Sequence, residues 1–310
     1  MLAVFLMASF LLLWRLEVLN AAGFQGTVLG ALVMPYCTGL GNLIFAGILG
    51  YNGGNGGDVM VNSLVNNLTN FTLVLGLPAL IWGMNLRGDE KKSKHDDETF
   101  IHRRLDILFT LLAALFFTGF VAVMGHKGRL DYTDGLVLVG LFLFWQSFHV
   151  YEVLKSHNRS GTLLHWLLPL EFLVVLVAAY GIYVSTGWLV HWVDAHPPGF
   201  VKAHLGWISG WLMVVPNAVL AFYYGWHKRS EVVYASQVGD AHISLPLCLG
   251  VFALFHPLVF PSVTTLGLEL LGGAILFHLF FVGVFGRLPR LVGLALTAGY
   301  GYFLYVGWLK

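Results

Sequence analysis

Val61-Asn62-Ser63-Leu64-Val65-Asn66-Asn67-Leu68-Thr69-Asn70-Phe71-Thr72-Leu73-Val74-Leu75-Gly76 is an amide-rich run inside an otherwise apolar segment. Wound as a helix at roughly 100° per residue, it gathers Asn62, Asn66, Thr69 and Asn70 into a sector about 100° wide. An unpaired amide in hydrocarbon costs about 2–7 kcal/mol, so a row of them cannot face lipid tails. Something polar must meet that face.

A second copy of the frame, Ser236-Gln237-Val238-Gly239-Asp240-Ala241-His242-Ile243-Ser244-Leu245-Pro246-Leu247-Cys248-Leu249-Gly250, stands 174 positions further on. Ser236, Asp240 and Ser244 fall where Asn62, Asn66 and Asn70 fall, and Gly250 falls where Gly76 falls. Upstream, the order Gly23-Phe24, Leu29-Gly30, Asn42 recurs as Gly199-Phe200, Leu205-Gly206, Asn217, with single-residue gaps at two points. Ordered matches over about 55 residues in both halves point to an internal duplication.

The 310 residues are 57% apolar and 11% charged, with a mean hydropathy of +0.76. Uncharged runs of about 18 residues or more recur along the chain, which is the pattern of a multi-span membrane protein. The boundaries predict about ten spans, at 1–20, 24–50, 59–85, 104–125, 133–154, 162–190, 199–226, 232–257, 264–286 and 289–309. The expected architecture is all-α, in two five-helix repeats over 1–154 and 162–310. An odd number of spans per repeat inverts the second in the membrane, as in secondary transporters. The first repeat includes a short polar link at 87–104, expected to be cytoplasmic; no segment is long enough for a soluble domain.

Positive charge is lopsided. Arg87, Lys91, Lys92, Lys94, Arg103 and Arg104 follow span three; Lys155, Arg159, Lys228, Arg229, Arg287 and Arg290 follow spans five, seven and nine. Lys127, Arg129 and Lys202 lie in the opposite loops, with Lys310 at the C-terminus, so both termini are expected on the non-cytoplasmic side of the cell membrane. The apolar N-terminus lacks a basic start and reads as a first span, not a cleaved signal. The formal charge of +1 suggests no nucleic-acid partner. Cys37 and Cys248 lie in apolar segments, which argues for packing and against a disulfide framework.

Spans two and seven look interrupted. Pro35, Gly39 and Gly41 cluster beside Thr38 and Asn42, and Pro216 precedes Asn217. Broken helices at matched positions in two halves free backbone carbonyls at membrane depth, where a bound ion can satisfy them.

With these residues in place, the chain resembles the cation/Ca²⁺ antiporter superfamily, the sodium/calcium exchanger fold. The family's first signature is G-T-S-x-P-E in a broken helix. Cys37-Thr38-Gly39-Leu40-Gly41-Asn42 meets it at Thr38 and places Asn42 at the glutamate; Leu212-Met213-Val214-Val215-Pro216-Asn217 keeps the proline and places Asn217 there. The second signature, G-N-x-x-G-S-N-x-x-N-x-x-x-x-x-G, is met by Asn62, Asn67, Asn70 and Gly76 in one half and by Gly239 and Gly250 in the other. The resemblance implies a midplane ion site with one glutamate from each half and Na⁺/Ca²⁺ exchange; here both glutamates are amides.

The expected ion site is therefore Thr38, Asn42, Asn62, Asn66, Asn67, Asn70, Asn217, Ser236, Asp240 and Ser244, with Asn42, Asn66, Asn217 and Asp240 as metal ligands. Ca²⁺ prefers six to eight oxygens including carboxylates. A single carboxylate, Asp240, suits a monovalent ion or a proton better. Ionisable groups in mid-span are functional by default, which singles out Asp240; His242 lies about 160° round the helix from it. Glu171 and Glu269 are expected to pair with neighbouring helices, and Arg15 and Glu17 to sit at the interface. Asn67-Leu68-Thr69 and Asn70-Phe71-Thr72 match the glycosylation pattern but lie inside a span. No resident cofactor is expected beyond the transported cation, Na⁺, Ca²⁺ or H⁺, and no obligate protein partner beyond the bilayer.

The leading function is a secondary cation antiporter. Alternatives are a carrier of a small neutral or monovalent solute and a non-transporting relative of the exchanger fold. A membrane enzyme fits less well, because no nucleophile, paired acids or metal constellation stands out.

Overall fold

The computed structural model describes residues 1–21, 36–37, 39–86, 94–155, 168–197 and 199–308. In chain order these form α1 (Leu2–Ala21), α2 (Leu40–Tyr51), α3 (Gly56–Leu68), a π-helical turn (Thr69–Val74), α4 (Leu75–Trp82), α5 (Lys94–Met124), α6 (Tyr132–Lys155), α7 (Leu168–Ala195), α8 (Phe200–Ala203) and α9 (Leu205–Trp226). They continue through α10 (Ser230–Ile243), a second π turn (Ser244–Cys248), α11 (Leu249–Ala253), α12 (Val263–Phe285) and α13 (Arg290–Gly307).

Among the described residues, seven helical stretches are long and apolar enough to cross a membrane, the run from Gly56 to Trp82 counting as one. Leu40–Tyr51 and Ser244–Ala253 are apolar but shorter. Burial separates centre from rim: 78% of the best window in Gly56–Trp82 and 56% of that in Leu205–Trp226 are buried, against 22–39% for the other five. The outer helices turn Phe116, Phe144, Phe148, Leu276, Phe277 and Phe280 outward, a face suited to hydrocarbon and not to water.

The amide-rich stretch is thus the central helix. Hydrophobicity gives no drive for association inside a bilayer, so close backbone approach through small residues holds the centre together. Gly206 and Gly210 of α9 lie against α3: a Cβ on Gly206 would stand 2.6 Å from the Asp58 carbonyl oxygen, and one on Gly210 2.8 Å from Val65 Cβ. The Asp58 side chain accepts the Gly206 N–H at 3.2 Å, and Asn55 caps the start of α3 by accepting the Gly57 N–H at 3.0 Å.

Two features recur at the offset seen in the sequence. Asn70 in the first π turn and Ser244 in the second are 174 positions apart, as are the two-residue strands β1 (Met84–Asn85) and β3 (Leu258–Val259). β1 pairs antiparallel with β4 (Arg287–Leu288), joining Met84 to Leu288; β2 (Arg129–Leu130) pairs with β3, joining Leu130 to Leu258.

Span seven departs from expectation: α9 runs unbroken through Pro216. In span two the helix from Leu40 begins after a turn at Gly39, with Tyr36 and Cys37 helical before it. The irregular backbone lies in spans three and eight instead. Pro246 falls inside the second π turn, and Pro78 stands four residues after the last residue of the first. A proline offers no N–H and its ring crowds the carbonyl four residues back, and a widened π turn accommodates both defects without ending the helix.

Candidate functional site

Each half of the chain presents polar side chains to the other at the two π turns. Asn42, on the first turn of α2, donates its Nδ2 to Ser244 Oγ at 3.4 Å. Ser63 Oγ donates to the Ser244 carbonyl at 3.0 Å. Asn62 donates to Ser209 Oγ at 3.0 Å and approaches Met213 Sδ at 3.4 Å, both on α9. Asn70 Nδ2 donates to Asn66 Oδ1 at 3.3 Å, and Gln237 of α10 donates to the Asn217 carbonyl at 3.3 Å.

All of these groups are buried, and several are only half satisfied. Among the described residues, Asn42 Oδ1, Asn62 Oδ1, Asn70 Oδ1 and both ends of the Asn67 amide have no partner. A cavity of about 30 Å³ opens at Asn42, the one of these unpartnered amides that lines it, with Ser9, Cys37, Gly41, Pro216 and Asn217 and with Phe5, Leu12, Leu13, Ile182 and Met213. That volume holds a water or two, or a bare cation. A buried amide oxygen without a partner forfeits about 1–3 kcal/mol, which a coordinated cation or water returns. The oxygens are neutral, so the described side chains offer dipoles and no net charge. Among the described residues no group of three His, Cys, Asp or Glu side chains could hold a metal.

Residues 1–150 match the family model described as sodium/calcium exchanger protein. That match covers just under half of the 310 residues and makes this part of the chain similar to sodium/calcium exchangers. Its fold is similar to that of the sodium-calcium exchanger NCX_Mj soaked with 2.5 mM Na⁺ and 10 mM Sr²⁺, at 17% identity and a TM-score of 0.65, covering 99% of this chain and 95% of that one. The same exchanger soaked with zero Na⁺ and Ca²⁺ matches at 18% identity with a TM-score of 0.64 and the same coverage. A comparison with proteins of curated function returned no match.

In this exchanger-fold chain, Asn42, Asn62, Asn66, Asn67, Asn70, Asn217 and Ser244 of the expected set are all buried around the two π turns, with Asn42 and Asn217 in one cavity. Thr38 and the side chains of Ser236 and Asp240 lie outside the described residues, as does that of His242. Thr69 leaves the amide face: it donates to the Val65 carbonyl at 2.6 Å and meets Tyr300 Oη at 2.8 Å, and Tyr300 accepts the Trp211 indole N–H at 2.7 Å. The widened turn carries Thr69 towards α13, which an ideal helix does not anticipate.

Glu171 pairs with Arg15 at 3.1 Å, joining α7 to α1, while Glu269 is exposed. Sequence reasoning missed Ser9, Ser63, Ser209 and Gln237. The available signal was a lone polar residue in an apolar span for Ser9, and adjacency to the amide frames for Ser63 and Gln237.

Proposed function

We propose that the protein is a secondary cation antiporter working by alternating access, with its ion site at the amide-lined cavity between two five-helix repeats, 1–154 and 162–310, the second inverted relative to the first. The observation that carries this reading is the convergence of Asn42 and Asn217, one from each half, on a single cavity, where the Asn42 Oδ1 has no partner among the described residues. The recurrence of a π turn and of strands β1 and β3 at one offset supports the duplication.

Amides at the two family glutamate positions favour a monovalent cation over Ca²⁺. A divalent ion held by neutral oxygens keeps most of its charge uncompensated, and each absent carboxylate forfeits several kcal/mol even at an effective dielectric near 20. Asp240, four residues before Ser244 on α10, is the one carboxylate of the set. Its protonation would delete the site's charge, which couples transport to H⁺. α1 and α7 are the moving pair: they pack along one another and are tied by Arg15 and Glu171, while Ser9 and Ile182 let them close the cavity. Both termini then lie on the non-cytoplasmic side of the cell membrane.

The test is uptake into proteoliposomes under imposed Na⁺, K⁺ or H⁺ gradients, with Na⁺, Ca²⁺, Mg²⁺ or Mn²⁺ as the trans cation. Gradient-driven uptake lost in Asp240→Asn and altered in affinity in Asn42→Ala and Asn217→Ala is the expected result. No flux under any gradient would sink the antiporter reading.

A further inference from the structure

Outside the amide cavity, a second buried polar chain crosses the molecule. Tyr234 of α10 and His278 of α12 are both fully buried, with Tyr234 Oη 2.6 Å from His278 Nδ1. His278 Nε2 lies 2.7 Å from the carbonyl oxygen of Phe71, inside the first π turn. A carbonyl only accepts, so Nε2 carries the proton; in the neutral ring Nδ1 then accepts from the tyrosine hydroxyl. Every polar atom in the chain is used in one direction, Tyr234 O–H to Nδ1 and Nε2–H to the Phe71 carbonyl. The ring packs against Phe71 as well, at a centroid distance of 5.8 Å.

A π turn departs from the i to i−4 ladder, and the second π turn has an analogous restraint, since Ser63 Oγ bonds the Ser244 carbonyl. Each turn is therefore held by a side chain from elsewhere in the fold. Phe71 directly follows Asn70, whose Oδ1 has no partner among the described residues. Tyr234 stands three residues before Gln237, which bonds the Asn217 carbonyl.

We infer that His278 is a positioning residue: in its Nε2–H tautomer, fixed by Tyr234, it clamps the first π turn and so sets where Asn70 points. The clamp reaches from the helix that carries Gln237 to the turn that carries Asn70 and touches no transported ion itself.

The clamp is tested by amide hydrogen exchange on purified full-length protein, comparing residues 69–75 with residues 244–249. His278→Leu and Tyr234→Phe should each speed exchange in the first turn about tenfold and leave the second near wild type, while Ser63→Ala should do the reverse. His278→Gln, whose amide N–H can reach the same carbonyl, should restore most of the protection. Nitrogen-15 spectra of histidine-labelled protein should show a neutral Nε2–H ring lost in His278→Gln and altered in Tyr234→Phe. Uniform exchange increases across both turns, or no change in either, would overturn the clamp, as would a His278 resonance of the opposite tautomer. A cation arm rests on the antiport reading: the half-saturating cation concentration for thermal stabilisation should rise several-fold in His278→Leu and recover in His278→Gln. A wild-type protein that no cation stabilises counts against the ion site, while the exchange data still decide the clamp.

Discussion

Replacing Gly210 by alanine probes the contact that holds the central helix. The new Cβ would meet Val65 Cβ at 2.8 Å, Val65 Cγ1 at 2.9 Å and the Asn62 carbonyl oxygen at 3.0 Å. Relaxed carbon contacts lie near 3.5–4.0 Å, so α9 and α3 must part by about 1 Å at the crossing. Overpacking of this kind costs about 1–3 kcal/mol. The Ser209 to Asn62 bond, now 3.0 Å, would stretch beyond reach, adding about 1 kcal/mol. Alanine regains about 1 kcal/mol over glycine from helix propensity, leaving a net loss of about 1–3 kcal/mol. Gly47 in α2 is the control: nothing lies within 4 Å of its added Cβ, so Gly47→Ala keeps the propensity gain of about 1 kcal/mol without the clash. Reversible unfolding in mixed micelles across a denaturing-detergent series measures both, and cation-induced stabilisation should weaken only in Gly210→Ala. Equal stabilities for the two variants would refute the close-approach argument.

Further outcomes follow from other contacts. Arg15→Gln or Glu171→Gln alone should destabilise by about 2 kcal/mol, while the double variant should lose less than the sum, because a partly buried charge is no longer stranded; a double-mutant cycle measures this. Tyr300→Phe removes the acceptor for Trp211 and the donor to Thr69, so unfolding should show a loss of about 1–3 kcal/mol, and a value near zero would mean water replaces both bonds. Asn42→Asp and Asn217→Asp should each raise Ca²⁺ affinity relative to Na⁺ by tenfold or more in calorimetric titration, since a carboxylate then faces the cavity. In the loop after α5, the Lys127 ammonium, helped by the Asp134 and Thr133 backbone amides, holds the Asp131 carboxyl below the usual carboxylate range. Its folded value is depressed, so its contribution is complete above the unfolded value and is lost as pH falls through the folded one; Asp131→Asn should flatten the acid limb of the stability curve.

Membrane class, helical content and the importance of the Val61 to Gly76 stretch were legible in the sequence because they rest on composition and periodicity, which the bilayer enforces residue by residue. The shared 174-residue offset was legible for the same reason: it is a property of order along the chain. Tertiary structure alone decided that α9 passes straight through Pro216 and that the irregular turns sit at Thr69–Val74 and Ser244–Cys248. A proline reports only a missing donor, and the packing around it determines whether the helix breaks, bends or widens. The partners were equally out of reach. Thr69 shares a helical sector with Asn66 in the sequence, yet bonds Tyr300, and Asn42 meets Ser244 from 202 residues away. Hydrogen bonds at such separations are fixed by which helices become neighbours, and that follows from close approach at glycines such as Gly206 and Gly210 and not from any local preference of the chain.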